Sequence, residues 1–359
     1  MKRRTWPILV LLSAGAAGAV AVACSETGPD AGPRVNGCIS EGCNDSGPVG
    51  DGGTTGQDGD IGPDGEVIVT DPLVGISPLT AKLLKGGLQF AEGPAWMGTR
   101  LIFSDVNANP SLLYELAADG GIGVFRSTAG KPNGNAVDPQ GGLVTCESAP
   151  NRRRLTRTAD LANPGGRVDI ATTFNGSAFN EPNDVIVRSD GNIYFTDPRY
   201  SNDPDGGQDK LAVYRLPPGA AADGAERLAA DFNKPNGIAL SKDGNTLYVI
   251  DNGDGRVLAA KLNGDGTLNG SFVKLVDAPG ADGMAVDDRD NVYVAATAGI
   301  LVFDKTGARL GSVTLPSGTP SNCTFGGADR KTLFITSNAG AGNPATGLYS
   351  IKLNVPGLP

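Results

Sequence analysis

The chain has no histidine. That absence excludes any mechanism built on an imidazole base or a His–Asp dyad. Beyond the N-terminus there is no run of 18 or more apolar residues, so no internal segment reads as a membrane-spanning helix. No basic stretch is concentrated enough to give nucleic acid an electrostatic footprint. The glycine-rich stretches match no phosphate loop opening a helix, so nucleotide binding has no support either. Net charge is −9 but uneven: residues 25–75 hold ten acids against one base, whereas 76–359 hold 29 acids against 26 bases. The acidity belongs to a tail and does not argue for a cationic partner of the folded part.

What is present starts with an export pattern. Lys2, Arg3 and Arg4 precede an apolar stretch from Ile8 to Ala23, and Cys24 follows Ala21-Val22-Ala23. Residues 1–23 read as a secretory signal, and Cys24 resembles the lipid-bearing cysteine of bacterial lipoproteins. The expectation is an exported protein, lipid-anchored to a bacterial membrane or secreted, that meets the membrane only through that anchor. Residues 24–75 read as a disordered, acidic, Gly/Pro-rich linker, too poor in apolar residues to offset ordering entropy. Cys38 and Cys43 within it could pair in an oxidising compartment. The folded domain is expected over 76–359.

That domain repeats. The segments AEGPAW, PNGNAVD, PNDVIV, PNGIAL, ADGMAV and SNCTFGG centre on Glu92, Asn133, Asn183, Asn236, Asp282 and Asn322, at steps of 41, 50, 53, 46 and 40 residues. A second strand follows each, and turn signals such as DPQGG, RSDGN and SKDGN stand between the two, as hairpins require. With 53 glycines and 25 prolines, the pattern predicts an all-β, six-bladed β-propeller. The segment LTAKLLKG before the first repeat would serve as outermost strand of the last blade and so remove an open sheet edge.

In a propeller the first residues of the innermost strands crowd one mouth of the central channel. The six marker residues would form a ring there, with the second-strand ends Asp105, Glu147, Asp197 and Asp251 close behind. Oxygen donors of mixed carboxylate and carboxamide type suit a hard divalent cation. Asn and Asp before Gly also serve ordinary turns, and Asn236 and Asn322 are assigned to that role. Glu is no turn former, which sets Glu92 apart. Cys146 and Cys323 read as buried structural thiols.

From about Gln89 to Leu353 the chain resembles the SMP-30/gluconolactonase/luciferin-regenerating family of six-bladed propellers. AEGPAW, PNDVIVRSDGNIYFTDPRY, PNGIALSKDGNTLYVID, DGMAVDDRDNVYVA and SNCTFGGADRKTLFIT carry the resemblance across the blades. It implies one catalytic divalent metal, calcium with magnesium or zinc as alternatives, bound by Glu92, Asn183 and Asp251. Asn133 would face metal or substrate, and Asp251 would also accept a proton from the attacking water. The implied reaction is hydrolysis of a sugar lactone or related cyclic ester. Where relatives read CEHG, this chain has Cys146-Glu147-Ser148; Glu147 keeps the acid and is a second catalytic candidate. Lys131, Arg199 and Asp282 join Asn133 as candidate substrate binders. A phosphotriesterase or aryl-esterase on the same metal, or a non-catalytic surface propeller, are the alternatives.

Overall fold

In the computed structural model of the chain, the described residues are 60–61, 67–68, 71–127, 130–201 and 207–358. The signal segment, Cys24, Cys38, Cys43 and nearly all of the 24–75 linker lie outside them. The described part is all strand and turn. Six four-stranded antiparallel sheets follow one another along the chain. Their innermost strands touch in chain order, and the sixth touches the first, which closes a six-bladed ring.

Blade one comprises Ala91–Trp96, Leu101–Asp105, Leu112–Leu116 and Ile122–Ser127. Blade two comprises Pro132–Val137, Leu143–Glu147, Arg154–Thr158 and Arg167–Ala171. Blades three, four and five begin at Val185–Val187, Pro235–Leu240 and Met284–Val286. Blade six holds Thr319–Gly326, Thr332–Asn338 and Gly347–Lys352, and its fourth strand is Lys82–Lys85, paired with Gly347–Lys352.

Second strands are buried on both faces, because each blade is sandwiched between two neighbours. Leu101–Asp105, Leu143–Glu147, Ile193–Asp197 and Val292–Ala296 are buried at every position. They therefore read as near-continuous apolar runs, the first three ending in an acid, and not as alternating strands. Fourth strands face water, as in Leu268–Asp277 of blade four. Between blades the apolar faces interlock. Trp96 of blade one stacks on Phe334 of blade six, while within blade three Phe179, Phe195 and Tyr214 pack at ring separations of 5.1 to 5.4 Å. Each such fully buried side chain contributes about 1.5–3 kcal/mol. The turns use their aspartates locally: Asp138 accepts from the backbone N–H of Gln140 and Gly142, which sets the DPQGG hairpin.

The folded domain extends further toward the N-terminus than composition predicts. Leu73 is buried in the core between blades five and six. Asn354 holds its neighbours, donating its backbone N–H to Pro72 O and its side-chain amide to Val74 O. Residues 71–74, inside the segment read as linker, are thus part of the packed domain, because Pro72-Leu73-Val74 supplies an apolar plug to a core still open between two blades.

Candidate active site

The starts of the inner strands and the segments that lead into them build most of the site. The inner strand of blade one shifts register between Glu92 and Ala95, that of blade two between Pro132 and Asn135, and that of blade four between Pro235 and Ile238. Such irregularities re-aim side chains at a strand terminus. The residue after the marker must also let the next blade come close. A Cβ on Gly134 would lie 2.3 Å from Asp184 Oδ1 and 2.7 Å from Asn183 O, and one on Gly237 would lie 2.6 Å from Asp282 O. Both glycines instead donate their N–H across the blade boundary, to Asn183 O at 2.7 Å and Asp282 O at 2.8 Å. The recurrent Asn-Gly is therefore a ring-closing device, and it leaves the preceding side chain at the mouth of the channel.

There a cavity of about 590 Å³ is lined by Glu92, Lys131, Asn133, Asn183, Asn236 and Asp282, together with Arg153, Glu181 and Tyr200. Asn236 ties the floor together, donating to Asp282 Oδ1 at 2.6 Å and to the Tyr200 hydroxyl oxygen at 2.7 Å. Asn183 spends its backbone on Thr196 and Gly134, while its carboxamide makes no hydrogen bond among the described residues. Glu181 is occupied: it accepts from the backbone N–H of Tyr200 and Ser201 and from the Ser201 hydroxyl, and so pins the loop that carries Tyr200.

The carboxylates are in electrostatic conflict. Burial pushes Glu92 well above the usual carboxylate range, and the charges of Asp282 and Asp184 push it further. Burial likewise raises Asp282 to about 7, against the Asn236 hydrogen bond that favours its ionised form, with Asp184 adding repulsion. Asp184, beneath the ring, is raised to about 6 by burial, opposed by hydrogen bonds from Val185, Asn322 and Ile238. Acids so crowded are relieved by a positive ion among them.

A divalent cation fits this donor set. Glu92 and Asp282 supply carboxylate oxygens, and Asn236 and Asn183 supply carboxamides; all are hard oxygen donors, the chemistry of calcium or magnesium rather than zinc. Among the described residues no group of three or more His, Cys, Asp or Glu side chains is arranged to hold a metal. A cation here would rely on two carboxylates completed by carboxamides.

Five of the residues singled out in the sequence as site residues meet at this cavity: Glu92, Asn133, Asn183, Lys131 and Asp282. Three do not. Asp251, expected as metal ligand and base, is fully buried away from it. Its carboxylate accepts from the N–H groups of Asn233 at 3.1 Å and Lys234 at 2.8 Å, and from Arg256 Nη2 at 3.3 Å. Asp105 and Asp197 do the same for Gln89–Phe90 and Asn180–Glu181. These second-strand aspartates clasp the segment entering each blade, and their lone pairs are spent there. Glu147, at the equivalent position of blade two, is fully buried between the Nε atoms of Arg152 and Arg167, each at 2.9 Å, and does not line the cavity. Arg199 donates to Asn180 Oδ1 and to the Gln208 carbonyl, and is also outside it.

Asn236, read from sequence as a turn former, is a central member, and Tyr200 and Glu181 were missed. The signal for Asn236 was its position in the repeat, equal to that of Glu92. Tyr200 and Glu181 have no counterpart in the other blades that could have flagged them. Cys146 and Cys323 are free and buried, as read.

An all-β, six-bladed propeller with an oxygen-lined channel mouth defines the class of protein. The profile of the SMP-30/Gluconolactonase/LRE-like region matches residues 90–339, and the chain belongs to that family. It is 30% identical over 293 residues to a gluconolactonase of Zymomonas mobilis, a match covering 72% of this chain and 78% of that protein. It is 29% identical over 210 residues to lactonase drp35 of Staphylococcus haemolyticus, covering 54% of this chain and 59% of that one. Among solved structures, a gluconolactonase of Xanthomonas campestris superposes with a TM-score of 0.65 at 34% identity, covering 76% of this chain and 88% of the other.

Proposed function

We propose that this chain is a lactonase that opens a sugar lactone or related cyclic ester with the help of one divalent cation, calcium or magnesium, held at the channel mouth by Glu92, Asn236, Asp282 and Asn183. The observation that carries the reading is the pair Glu92 and Asp282, two carboxylates raised by burial, Glu92 further by Asp282 and both by Asp184, in a cavity that also holds the carboxamides of Asn133, Asn183 and Asn236. The lactonase names of the relatives supply the reaction class.

A bound cation would supply Lewis acidity toward the ester carbonyl and acidity to a water. The chain supplies the rest. Asp282 keeps Oδ1 on Asn236, which leaves Oδ2 to accept a proton from the attacking water; it takes the base role that sequence reasoning gave to Asp251. Neutralisation of the cluster returns Asp282 to its ionised form at neutral pH, a precondition for a base. Asn236 fixes both that carboxylate and the Tyr200 phenol. Asn183 and Asn133 offer carboxamides to ring hydroxyls or the carbonyl.

Export, with anchoring through Cys24, belongs to the same proposal and rests on the N-terminal pattern alone. The test of activity is hydrolysis of glucono-δ-lactone followed with and without a chelator. Loss of rate on chelation and its return with calcium are expected. An unchanged rate would reject the cation, and no turnover of any lactone would reject the lactonase reading.

A further inference from the structure

We propose that the boundary between blades one and two binds a small inorganic dianion of tetrahedral shape, phosphate or sulfate, on the guanidinium edge of Arg126 and the hydroxyl of Thr156. Neither residue lines the catalytic cavity, and the site is independent of the lactonase reading.

Arg126 lies on the outermost strand of blade one and reaches across to blade two. Its Nη1 donates to Thr158 Oγ1 at 2.9 Å and to Pro164 O at 3.4 Å. The residue is only 4% exposed, yet its Nε and Nη2 make no hydrogen bond. Those two nitrogens form one edge of the guanidinium, whose parallel N–H groups make the fork that meets two oxygens of one oxyanion. Among the described residues no other arginine buries two adjacent nitrogens in this way. A second unmet group faces the same place. Thr156 stands two residues before Thr158 on a strand paired in regular register with Leu143–Glu147, so the two hydroxyls share one face of the sheet. Thr156 is fully buried and its Oγ1 has no hydrogen-bond partner. Glu147, opposite Arg154 in that register, lies on the same face. Buried donors left unmade are costly, and protein interiors supply them with a partner.

Charge decides what that partner is. The ionised groups that act on Arg126 are Arg167, Glu147 and Arg152. Glu147 is itself held between Arg152 and Arg167, each at 2.9 Å. Three guanidiniums therefore meet a single carboxylate, and two positive charges are left unbalanced. Neighbouring acids do not make up the difference: Asp169 is paired with Arg154, and the exposed Asp160 holds the Ala162 N–H in its own turn. Burial pulls the Arg126 guanidinium down to about 10, with Arg167 and Arg152 adding repulsion and Glu147 opposing it. A water would satisfy the donors but not the charge, whereas a dianion does both. The donors come from two blades, which suits the divergent oxygens of a tetrahedral ion better than a planar carboxylate. The burial of Arg126 and Thr156 admits a small free ion and shuts out a phosphorylated lipid or protein. The Arg152 side chain, 34% exposed, is the most open side of the cluster. An ion held there ties the outermost strand of blade one to blade two.

The test is calorimetric titration of the full-length protein, dialysed free of divalent cations, with inorganic phosphate and with sulfate, against chloride at equal ionic strength. One ion per chain is expected for phosphate and for sulfate, and no saturable binding for chloride. Arg126→Lys keeps the charge and removes the fork, and should weaken phosphate at least about ten-fold, the worth of one charge-assisted contact. Thr156→Val keeps the shape and removes the hydroxyl, and should weaken it about five-fold. Millimolar phosphate, too dilute for the general stabilisation by excluded salts, should raise the melting temperature of the parent more than that of either variant. The inference is overturned if the parent binds neither dianion, or if chloride binds as tightly as they do. Parental affinity in either folded variant also overturns it, since the ion would then sit elsewhere. If Arg126→Lys does not fold, Thr156→Val decides alone.

Discussion

Replacing Asp251 and Asp282 one at a time by asparagine should give opposite phenotypes, although both aspartates stand at strand ends of neighbouring blades. Asp251 is fully buried and accepts from two backbone amides and one guanidinium. In Asp251→Asn one oxygen can still serve the Lys234 and Asn233 amides. The new NH₂ then faces Arg256 and has nothing to accept its protons. A hydrogen bond to a charged group is worth about 1.5–3 kcal/mol, and an unsatisfied buried donor costs a further 1–3 kcal/mol. A loss of about 3 kcal/mol is the central expectation. At roughly 2–4 °C per kcal/mol for a domain of this size class, the melting temperature should fall by about 6–12 °C.

Asp282→Asn removes one of two mutually repelling carboxylates. The amide oxygen can keep the 2.6 Å hydrogen bond from Asn236, and Glu92 loses its strongest charged antagonist. The cation-free melting temperature should stay level or rise. Lactone hydrolysis should fall by at least about 100-fold, the usual consequence of losing a positioned base. Thermal melts in chelator and hydrolysis in calcium, at a temperature well below both midpoints, read the two effects separately. If Asp251→Asn melts like the parent yet has lost hydrolysis, or Asp282→Asn turns over at the parental rate, the assignment of the two aspartates is wrong.

Asp282 at about 7 and Asp184 at about 6 stand above the ordinary value of 3.8, as Glu92 stands above its own. The unfolded chain therefore releases these protons first, and the cation-free protein should lose stability as pH rises from about 4 to about 7. The lowered surface carboxylates Asp243, Asp265, Asp304 and Asp329 act below that window, and no histidine titrates within it. Melts in chelator should be higher at pH 5.5 than at pH 8, with added calcium raising the midpoint more at pH 8; the reverse order would refute the crowding of acids. Removal of residues 1–70 should leave the melting temperature intact. Removal of 1–75 takes away Leu73, a buried leucine whose loss costs about 2–5 kcal/mol, and equal midpoints for the two truncations would show that the plug contributes nothing.

The repeat was legible because each marker serves two needs at once. It starts an inner strand, and the glycine that often follows it admits the next blade, so small residues recur at blade spacing and the ring can be counted in one dimension. The site was only half legible for the same reason. Every blade but the fifth offers two polar strand ends, one at the start of the first strand and one at the end of the second. Both lie beside buried apolar runs, and sequence pattern treats them alike. What separates them is a tertiary fact: Asp251 accepts from Lys234, 17 residues back, so the second-strand acid turns outward onto its own blade's entry. Asp282, on a first strand, has no entry to clasp and is left to the channel. Asn236 was misjudged by the converse error, since Asn-Gly is a turn signal in isolation and a channel residue in register with Glu92. The propeller thus assigns its acids by strand number. First-strand positions serve chemistry and second-strand positions serve closure, and Glu147 conforms, with arginines taking the place of backbone amides as the groups it holds.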